Sequence, residues 1–221
     1  MRSVSICGVI LSAGFSSRMG RDKALLAWPP EVRIESWRDT FLGAAIDRLQ
    51  RVCELVIVVV GANSETLAPL VYSSGADALV VNPGPQRGQF SSLRIGLQEV
   101  LNQGRDAAFV ALVDRPPASE STYESLRREF LETSNDCMAV VPEYSGKHGH
   151  PIVIGKEMIE AMLRAPAESN AREVMHKHQD RITYITVNDP FVTMNINTAE
   201  DYERLLKNFA SYKQGRITRD E

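Results

Sequence analysis

Cysteine is scarce in this sequence, and long apolar runs do not occur in it. The chain of 221 residues contains three cysteines, Cys7, Cys53 and Cys137, and no Cys-x-x-Cys pair. This pattern predicts neither a disulfide framework nor a cysteine-based zinc site, so we interpret all three as small buried apolar residues. The apolar run Ile6–Leu11 is too short to cross a bilayer, and a loop-like polar segment follows it instead of a cleavage site. We therefore expect a cytoplasmic protein without membrane contacts.

Positive charge is not in excess. The chain has 25 Lys and Arg against 28 Asp and Glu, a net charge of −3 and a pI of about 5.9. This balance lacks the electrostatic footprint of a nucleic-acid-binding domain, although a local basic pocket for a phosphorylated small molecule is still allowed. No linker rich in Gly, Ser or Pro divides the chain, and its length suits one globular domain over residues 1–221.

Short apolar runs rich in β-branched residues alternate with amphipathic stretches. The predicted strands are Ile6–Leu11, Leu55–Val60, Ala78–Val81, Ala107–Val113, Met138–Val141, Pro151–Ile154 and Ile182–Val187. The predicted helices are Thr40–Arg51, Ser64–Tyr72, Ser91–Asn102, Glu120–Thr133, Lys156–Arg164, Ala171–Lys177 and Ala199–Ser211. This alternation predicts an α/β fold with a largely parallel sheet between helices. The segment Trp28–Asp39 has no clear periodicity and is predicted to be irregular.

The strongest local signal for chemistry is the segment Leu11–Lys23, with the sequence LSAGFSSRMGRDK. It follows a buried strand and combines Gly14 with hydroxyls and basic side chains. Backbone N–H groups of such a loop can approach phosphate oxygens closely, and Arg18 and Lys23 can neutralise charge there. The segment is neither a Walker A loop nor a GxGxxG fingerprint. Taken alone, it fits a phosphate site and a solvated strand–helix connection equally well.

Three further segments favour the phosphate site. The segment Asn82–Leu93 follows the third strand and enters a helix with glycines and hydroxyls, although Ser91 could simply cap that helix. Asp114 stands where a buried strand ends, which is a common position for a metal-binding or catalytic carboxylate, or alternatively for a turn. The segment Asn195–Thr198 places two amides beside a helix start, where a capped turn is the alternative interpretation.

In their order along the chain these segments resemble the MobA-like nucleotidyltransferases, and most closely the molybdenum cofactor cytidylyltransferases. The resemblance is carried by LSAG-x-SSRMG-xx-K, N…GQFSSLRIGL, VALVDRP, GHPIVIG and NINTAEDY, from about Ile6 to Tyr202. It implies a three-layer, Rossmann-like (glycosyltransferase-A-like) fold with a mixed, mostly parallel seven-stranded sheet. It also implies Mg²⁺-dependent transfer of a nucleoside monophosphate to a phosphorylated acceptor with release of pyrophosphate. CTP is the favoured nucleoside triphosphate, and molybdopterin or its molybdenum complex is the favoured acceptor.

The resemblance also assigns roles to individual residues. The implied nucleotide-binding residues are Leu11, Ser12, Ala13, Gly14, Arg18, Lys23, Asn82, Gly88, Ser91 and Ser92. Lys23, Arg18 and Asp114 are the implied catalytic residues, and Asp114 and Asn197 are the implied Mg²⁺ ligands. Gly149 and His150 are assigned to the acceptor side. An amide oxygen such as that of Asn197 can bind Mg²⁺ but contributes no formal charge.

Three departures from the family pattern keep other functions open. One is the irregular segment Trp28–Asp39, which stands where relatives have a short glycine turn. Arg115 stands where relatives usually have Gln or Met, and Asn195-Ile196-Asn197 resembles the guanylyl relatives instead of the cytidylyl ones. One alternative is a nucleotidyltransferase for another phosphorylated acceptor, such as a sugar or polyol phosphate. A second is a weakly active nucleotide- or cofactor-binding accessory protein that serves an apo molybdenum enzyme.

Overall fold

In the computed structural model, which describes residues 4–133 and 136–213, one mixed sheet forms the centre of the fold. Its strands are β1 (Ile6–Ser12), β2 (Leu55–Val60), β3 (Ala78–Val81), β4 (Ala107–Leu112), β5 (Ala139–Tyr144), β6 (Lys147–His148), β7 (Ile152–Gly155) and β8 (Ile182–Thr186). Strand β1 lies between β2 and β4 in parallel, β3 extends the sheet beyond β2, and β5 pairs in parallel with β8. Strand β7 is antiparallel to both β4 and β5. The α/β fold with a mixed, mostly parallel sheet is therefore confirmed.

Helices cover both faces of this sheet. They are α1 (Phe41–Gln50), α2 (Ser64–Ser73), α3 (Gln89–Asn102), α4 (Glu120–Thr133), α5 (Lys156–Arg164), α6 (Ala171–His176) and α7 (Ala199–Lys213). Apolar side chains of α1, α2 and α4 pack on one face, and those of α3, α5 and α6 pack on the other. Side chains of β1 alternate between the two layers, as the period of two in a strand requires. The seven predicted strands and seven helices all occur, with ends that shift by up to about three residues, as is usual at element termini.

The sheet has eight strands instead of the seven that the resemblance implied. The additional strand is β6, which forms a short hairpin with the end of β5. The chain then continues into β7, which pairs with the beginning of β5. In the Gly-His-Pro segment at residues 149–151, the N–H of Gly149 still donates to the Pro142 carbonyl of β5 (2.8 Å), and the pairing breaks after it. Pro151 has no N–H to donate, and the N–H of His150 donates to the carbonyl of Val192 (2.9 Å) instead of to β5. A two-residue strand leaves too little periodicity to be found in a sequence.

A separate apolar cluster, which we call the aromatic cluster, joins the two ends of the described chain. It contains Met19, Leu26, Trp28, Phe41, Ile196, Tyr202, Leu205 and Phe209. The Trp28 ring meets Phe41 and Phe209 edge-on, with ring centroids 5.5 and 5.4 Å apart. The segment Trp28–Asp39 is irregular, as predicted, apart from a single 3₁₀ turn at its end. Trp28 anchors that segment, and the cluster brings the loop after β1 next to the turn before α7.

Two expectations from composition can be compared with this fold. Cys7 and Cys137 are buried as expected, whereas Cys53 is only half-buried because it lies in the turn between α1 and β2. None of the helices in the described ranges combines the length and the apolar character that a membrane crossing requires.

Candidate functional site

The parallel strands place the predicted functional segments at one edge of the sheet, because strands that run in one direction end on the same side. Leu11, Ser12 and Ala13 are buried at the end of β1, and the Oγ atom of Ser12 has no hydrogen-bond partner in the described part of the chain. Gly14 and Arg18 follow on the exposed part of the loop. This edge of the sheet therefore carries a loop with an exposed glycine and an exposed cation.

Internal hydrogen bonds hold the loop after β1 in shape. Ser16 has a positive φ of 48°, and its carbonyl accepts from the N–H of Met19 at 2.9 Å. The hydroxyl of Ser16 accepts from the backbone N–H of Lys23 at 3.2 Å. Met19 is buried in the aromatic cluster. These contacts fix the middle of the loop and the position of the Lys23 backbone at its end.

Asn63 and Asp22 also fix this loop, although no motif marks Asn63 and Asp22 has no predicted role within the segment Leu11–Lys23. The Nδ2 group of Asn63 donates to the Ser12 carbonyl (3.0 Å) and to Oδ2 of Asp22 (2.7 Å). The other Asp22 oxygen accepts from the N–H of Ala24 at 3.0 Å and caps the short turn that carries Lys23. Asn63 precedes α2 but makes no side-chain cap to it. An asparagine before a helix normally indicates a helix cap, so its position in the sequence does not predict that the Asn63 side chain contacts the loop after β1.

Lys23, Asn197 and Asp114 meet at the centre of the candidate site. The Lys23 ammonium donates to Oδ1 of Asn197 at 3.1 Å. The carbonyl of Asp114 accepts from the N–H of Ile196 at 2.8 Å, which ties the end of β4 to the turn that carries Asn197. Burial lowers the pKa of Lys23 and the charge of Arg18 lowers it further, whereas Asp114 and Asp201 act in the opposite direction. The structure therefore brings together the predicted catalytic and metal-binding residues.

The turn that carries Asn197 is held by the start of α7. The carboxylate of Asp201 accepts from the backbone N–H groups of Asn197 (2.9 Å) and Thr198 (3.0 Å). The N–H of Asp201 in turn donates to the Thr198 hydroxyl at 3.3 Å. These reciprocal bonds form a capping box, which fixes the backbone below the Asn197 amide.

Asp114 fits the role of a Mg²⁺ ligand. Its Oδ1 atom is buried and has no hydrogen-bond partner within the described ranges. An unpaired buried carboxylate oxygen is unfavourable unless a cation or donor compensates it. The described residues contain no group of three or more acidic, His or Cys side chains that could hold a metal. One carboxylate nevertheless suits Mg²⁺, which usually keeps several waters and binds one or two carboxylates together with substrate phosphates.

The second predicted loop is held by Asn82, whose side chain is buried. The Asn82 amide donates to the hydroxyls of Ser91 and Ser92 at 2.9 Å each, and its oxygen accepts from the N–H of Gly84 at 2.9 Å. Gly88 begins α3 with a φ of 91°, which glycine adopts without strain. The side chains of Asn82 and Ser92 therefore shape this loop from inside. The exposed backbone at Gly88 is the part that a ligand can reach.

Gly149 and His150 lie beside a cavity of about 920 Å³ that extends from the candidate site towards α6. A Cβ atom on Gly149 would lie 2.2 Å from the carbonyl oxygen of Val192, so this position requires glycine. The cavity is lined in part by Leu11 and Gly88. Two residues predicted for the acceptor and two predicted for the nucleotide thus line one continuous space.

His150 stays neutral over the physiological pH range. Burial, together with the nearby charge of Arg115, lowers the pKa of its imidazole from 6.5 to about 3. The Nδ1 atom is buried and has no partner in the described part of the protein. His150 can therefore act as a neutral hydrogen-bonding group, and it does not switch charge near pH 7.

This pKa makes the stability of the protein sensitive to acid. The unfolded chain binds a proton at His150 below pH 6.5, whereas the folded chain resists protonation down to about pH 3. The contribution of His150 to the free energy of unfolding is therefore fully present above pH 6.5 and is lost as the pH drops through that window, by at most about 1.4 kcal/mol per pH unit. We expect His150→Gln to remove about 2 kcal/mol of the loss between pH 7 and pH 4.5. Urea unfolding at both pH values measures this, with the exposed His176→Gln as control. Equal losses in wild type and His150→Gln would contradict the expectation.

Comparison with known proteins gives a family match over most of the chain. The family model described as the MobA-like NTP transferase domain matches residues 8–182. The match includes the loop after β1, the loop after β3, Asp114 and the Gly-His-Pro segment. It ends before Asn197 and α7.

Individual relatives cover nearly the full length. A molybdenum cofactor cytidylyltransferase of Escherichia coli (strain K12) is 24% identical over 196 residues, covering 88% of this chain and 92% of the relative. A probable molybdenum cofactor guanylyltransferase of Mycobacterium ulcerans (strain Agy99) is 28% identical over 200 residues, with coverages of 90% and 92%. The crystal structure of Rv0371c from Mycobacterium tuberculosis H37Rv superposes with a TM-score of 0.72 at 24% identity, covering 92% of this chain and 99% of that one.

Proposed function

The chain belongs to the MobA-like NTP transferase family, and on this basis we propose that it transfers CMP from CTP to a phosphorylated acceptor with release of pyrophosphate. The acceptor that we propose is molybdopterin or its molybdenum complex. Relatives named for molybdenum cofactor nucleotidyl transfer support this choice, and they include both a cytidylyltransferase and a guanylyltransferase.

One arrangement carries the proposal: a lysine and a carboxylate converge where two phosphate-bearing substrates must meet. Lys23 bonds to Asn197 at 3.1 Å, and the charge of the nearby Asp114 carboxylate offsets part of the lowering of the Lys23 pKa by burial. Attack on an α-phosphorus brings two anions together and develops charge on the leaving pyrophosphate. The half-buried Lys23 ammonium and the exposed Arg18 guanidinium stabilise that charge.

Asp114 is the residue that we propose as the Mg²⁺ ligand, because its buried oxygen lacks a partner among the described residues. A Mg²⁺ ion held by Asp114 would supply charge neutralisation of the phosphates and polarisation of the reacting phosphoryl group. Oδ1 of Asn197 already accepts one hydrogen bond from the Lys23 ammonium, and the amide oxygen contributes no formal charge to a cation on its second lone pair. We therefore give Asp114 the larger part in metal binding and Asn197 the smaller part.

The acceptor side requires no protein nucleophile. A phosphate monoester is substantially ionised near neutral pH, so its own oxygen attacks the α-phosphorus without a strong general base. The neutral His150 can orient the acceptor from the cavity wall. We expect that His150→Ala weakens use of the acceptor while nucleotide binding persists.

The proposed preference for CTP depends on Ala13. Ala13 is 6% exposed at the end of β1. Its backbone packs closely against Gly61, since a Cβ atom on Gly61 would lie 2.7 Å from the Ala13 carbonyl oxygen. In the guanylyl pattern that the family resemblance implies, glycine takes the place of Ala13, and the extra methyl of Ala13 removes slack from a packed loop. Overpacking by one methyl typically costs about 1–3 kcal/mol, which is roughly ten-fold to a hundred-fold in specificity.

We expect kcat/KM for CTP to exceed that for GTP by roughly ten-fold to a hundred-fold, and Ala13→Gly to narrow this ratio. The measurement is kcat/KM for both nucleotides in wild type and variant. Ala68→Gly, in the half-exposed part of α2, is a matched control for the loss of a methyl and should leave the ratio unchanged. A preference of the wild type for GTP would refute the cytidylyl assignment.

Pyrophosphate release tests the proposed function directly. CTP and GTP are each offered with molybdopterin, with a sugar phosphate and with a polyol phosphate, in Mg²⁺ and in EDTA. We expect release with CTP and molybdopterin that requires Mg²⁺. Release with a sugar or polyol phosphate alone would instead support another acceptor. Tight nucleotide binding without any release would support an accessory role.

A further inference from the structure

Two exposed aromatic side chains, which we call the ring pair, stack on each other at the outer part of the sheet. The imidazole of His148 and the phenol of Tyr184 have ring centroids 4.0 Å apart, and their planes are inclined by only 18°. The His148 side chain is 52% exposed and Tyr184 is 38% exposed, so the contact covers part of each ring and leaves the rest open. The ring pair therefore offers open aromatic surface to a ligand.

Strand pairing fixes the position of the ring pair. Strands β6 and β8 lie on opposite sides of β5, where His148 pairs with Glu143 and Tyr184 pairs with Val141. Because Val141 and Glu143 are two residues apart, they and their partners share one face of the sheet. Oε2 of Glu143 also lies 3.5 Å from Nε2 of His148. The two rings are thus held in place before any ligand arrives.

The ring pair lines the cavity of about 920 Å³ that extends from the candidate site. The apolar side chains of Val141, Ile182 and Met175 belong to the same lining, and so do the polar side chains of Ser169 and Gln179. A flat heterocycle has apolar faces and an edge of hydrogen-bonding groups. Its faces suit the ring pair and the apolar residues, and its edge suits the hydroxyl and the amide.

The ring pair lies on the half of the sheet that is opposite to the predicted nucleotide loops. Those loops follow β1 and β3, Asp114 follows β4, and β6 and β8 lie beyond β7 at the other end of the strand order. His148 directly precedes Gly149 and His150, which are assigned to the acceptor side. A nucleotide held by the loops after β1 and β3 leaves the ring pair to the second substrate.

We propose that the ring pair binds a planar heteroaromatic ring of the acceptor. This inference rests on the proposed function, in which the acceptor occupies the cavity. A pterin contains such a ring, in agreement with molybdopterin as the proposed acceptor, whereas a sugar or polyol phosphate lacks one. His148 and Tyr184 are therefore specificity-determining residues, which hold the ring of the acceptor while its phosphate receives the nucleotide.

Binding of 6-hydroxymethylpterin tests this proposal without nucleotide and without a phosphate group. The fluorescence of the pterin gives its Kd for the full chain. We expect Tyr184→Leu, which keeps an apolar side chain but removes the ring, to raise Kd roughly ten-fold. His148→Ala should have an effect of the same order, because stacking of a heterocycle on an aromatic side chain contributes about this much. Tyr184→Phe keeps the ring and should bind the pterin nearly as well as the wild type.

Two controls make the result specific. Tyr72→Leu removes an exposed tyrosine of α2 that does not line the cavity, and it should leave Kd unchanged. CTP should not displace the pterin, because its proposed site lies on the other half of the sheet. Thermal unfolding shows whether each variant is folded, and Tyr184→Phe remains informative if Tyr184→Leu is not.

The acceptor dependence of the reaction gives a second measurement. Tyr184→Leu should raise KM for molybdopterin roughly ten-fold and leave KM for CTP unchanged, because the ring pair contacts only the acceptor.

A wild type that does not bind the pterin would overturn the proposal, and so would equal Kd values in the wild type, Tyr184→Leu and His148→Ala. Displacement of the pterin by CTP would assign the ring pair to the nucleotide and would overturn it as well. The failure of the proposed function has a different signature. If no nucleoside triphosphate releases pyrophosphate with any acceptor while pterin binding depends on Tyr184, only the proposed function fails. If pyrophosphate is released with molybdopterin and Tyr184→Leu leaves its KM unchanged, only the role of the ring pair is refuted.

Discussion

Asp114→Ala is expected to lower the rate of nucleotidyl transfer by at least about a thousand-fold, which corresponds to roughly 4 kcal/mol of transition-state stabilisation. Asp114 supplies the one carboxylate oxygen at this site that is buried without a described partner. Without it, the proposed Mg²⁺ loses its anionic protein ligand. Steady-state pyrophosphate release at limiting Mg²⁺ measures the effect.

The fold should survive this substitution. Asp114 is half-buried, and its attraction to Lys23 and Arg115 offsets the cost of burying its Oδ1 atom, so the free energy of unfolding of Asp114→Ala should stay within about 1 kcal/mol of the wild type. Asp180→Ala removes an exposed carboxylate outside the site and serves as the activity control. Wild-type turnover of Asp114→Ala at limiting Mg²⁺ would show that the metal assignment is wrong.

Lys23→Ala is expected to reduce kcat by roughly a hundred-fold to a thousand-fold with a much smaller change in KM. Removal of one preorganised charge-stabilising donor has an effect of this size in other active sites. The contact strengthens as pyrophosphate leaves, so it acts mainly in the transition state. Single-turnover kinetics at saturating nucleotide and acceptor separate the chemical step from binding.

Two further variants make the Lys23 result specific. Lys23→Arg keeps the charge and should recover part of the rate, whereas Lys156→Ala removes an exposed lysine at the start of α5 and should have no effect. A rise in KM at unchanged kcat would mean that Lys23 only helps to hold the triphosphate.

The fold was largely predictable because its signals are local. Runs such as Leu55–Val60 are short, apolar and β-branched, and the apolar spacing of Glu120–Thr133 has the period of a helix. The start of α3 was predicted less accurately: the predicted helix begins at Ser91, whereas α3 begins at Gln89. A serine near a helix start indicates a cap, but Gly88 caps the backbone here and the Ser91 hydroxyl bonds to the Gly88 carbonyl at 2.8 Å.

The site was predictable only where a motif marked it. Lys23, Asp114 and Asn197 lie in segments with a recognisable pattern, and they converge in space. The contacts that position them were not predictable. Asn63 reaches the Ser12 carbonyl across 51 residues, and the Val192 carbonyl that fixes Arg115 belongs to backbone that no side-chain pattern reveals.

The bond between Lys23 and Asn197 joins residues that are 174 positions apart. A ribosome adds roughly 5–20 residues per second, so about 9–35 s separate the synthesis of these two side chains. During that interval the growing chain already contains the loop after β1 but lacks the turn that carries Asn197 and helix α7. A nascent chain without Asn197 and α7 therefore lacks one wall of the candidate site, and that wall forms only when α7 adds Tyr202, Leu205 and Phe209 to the aromatic cluster.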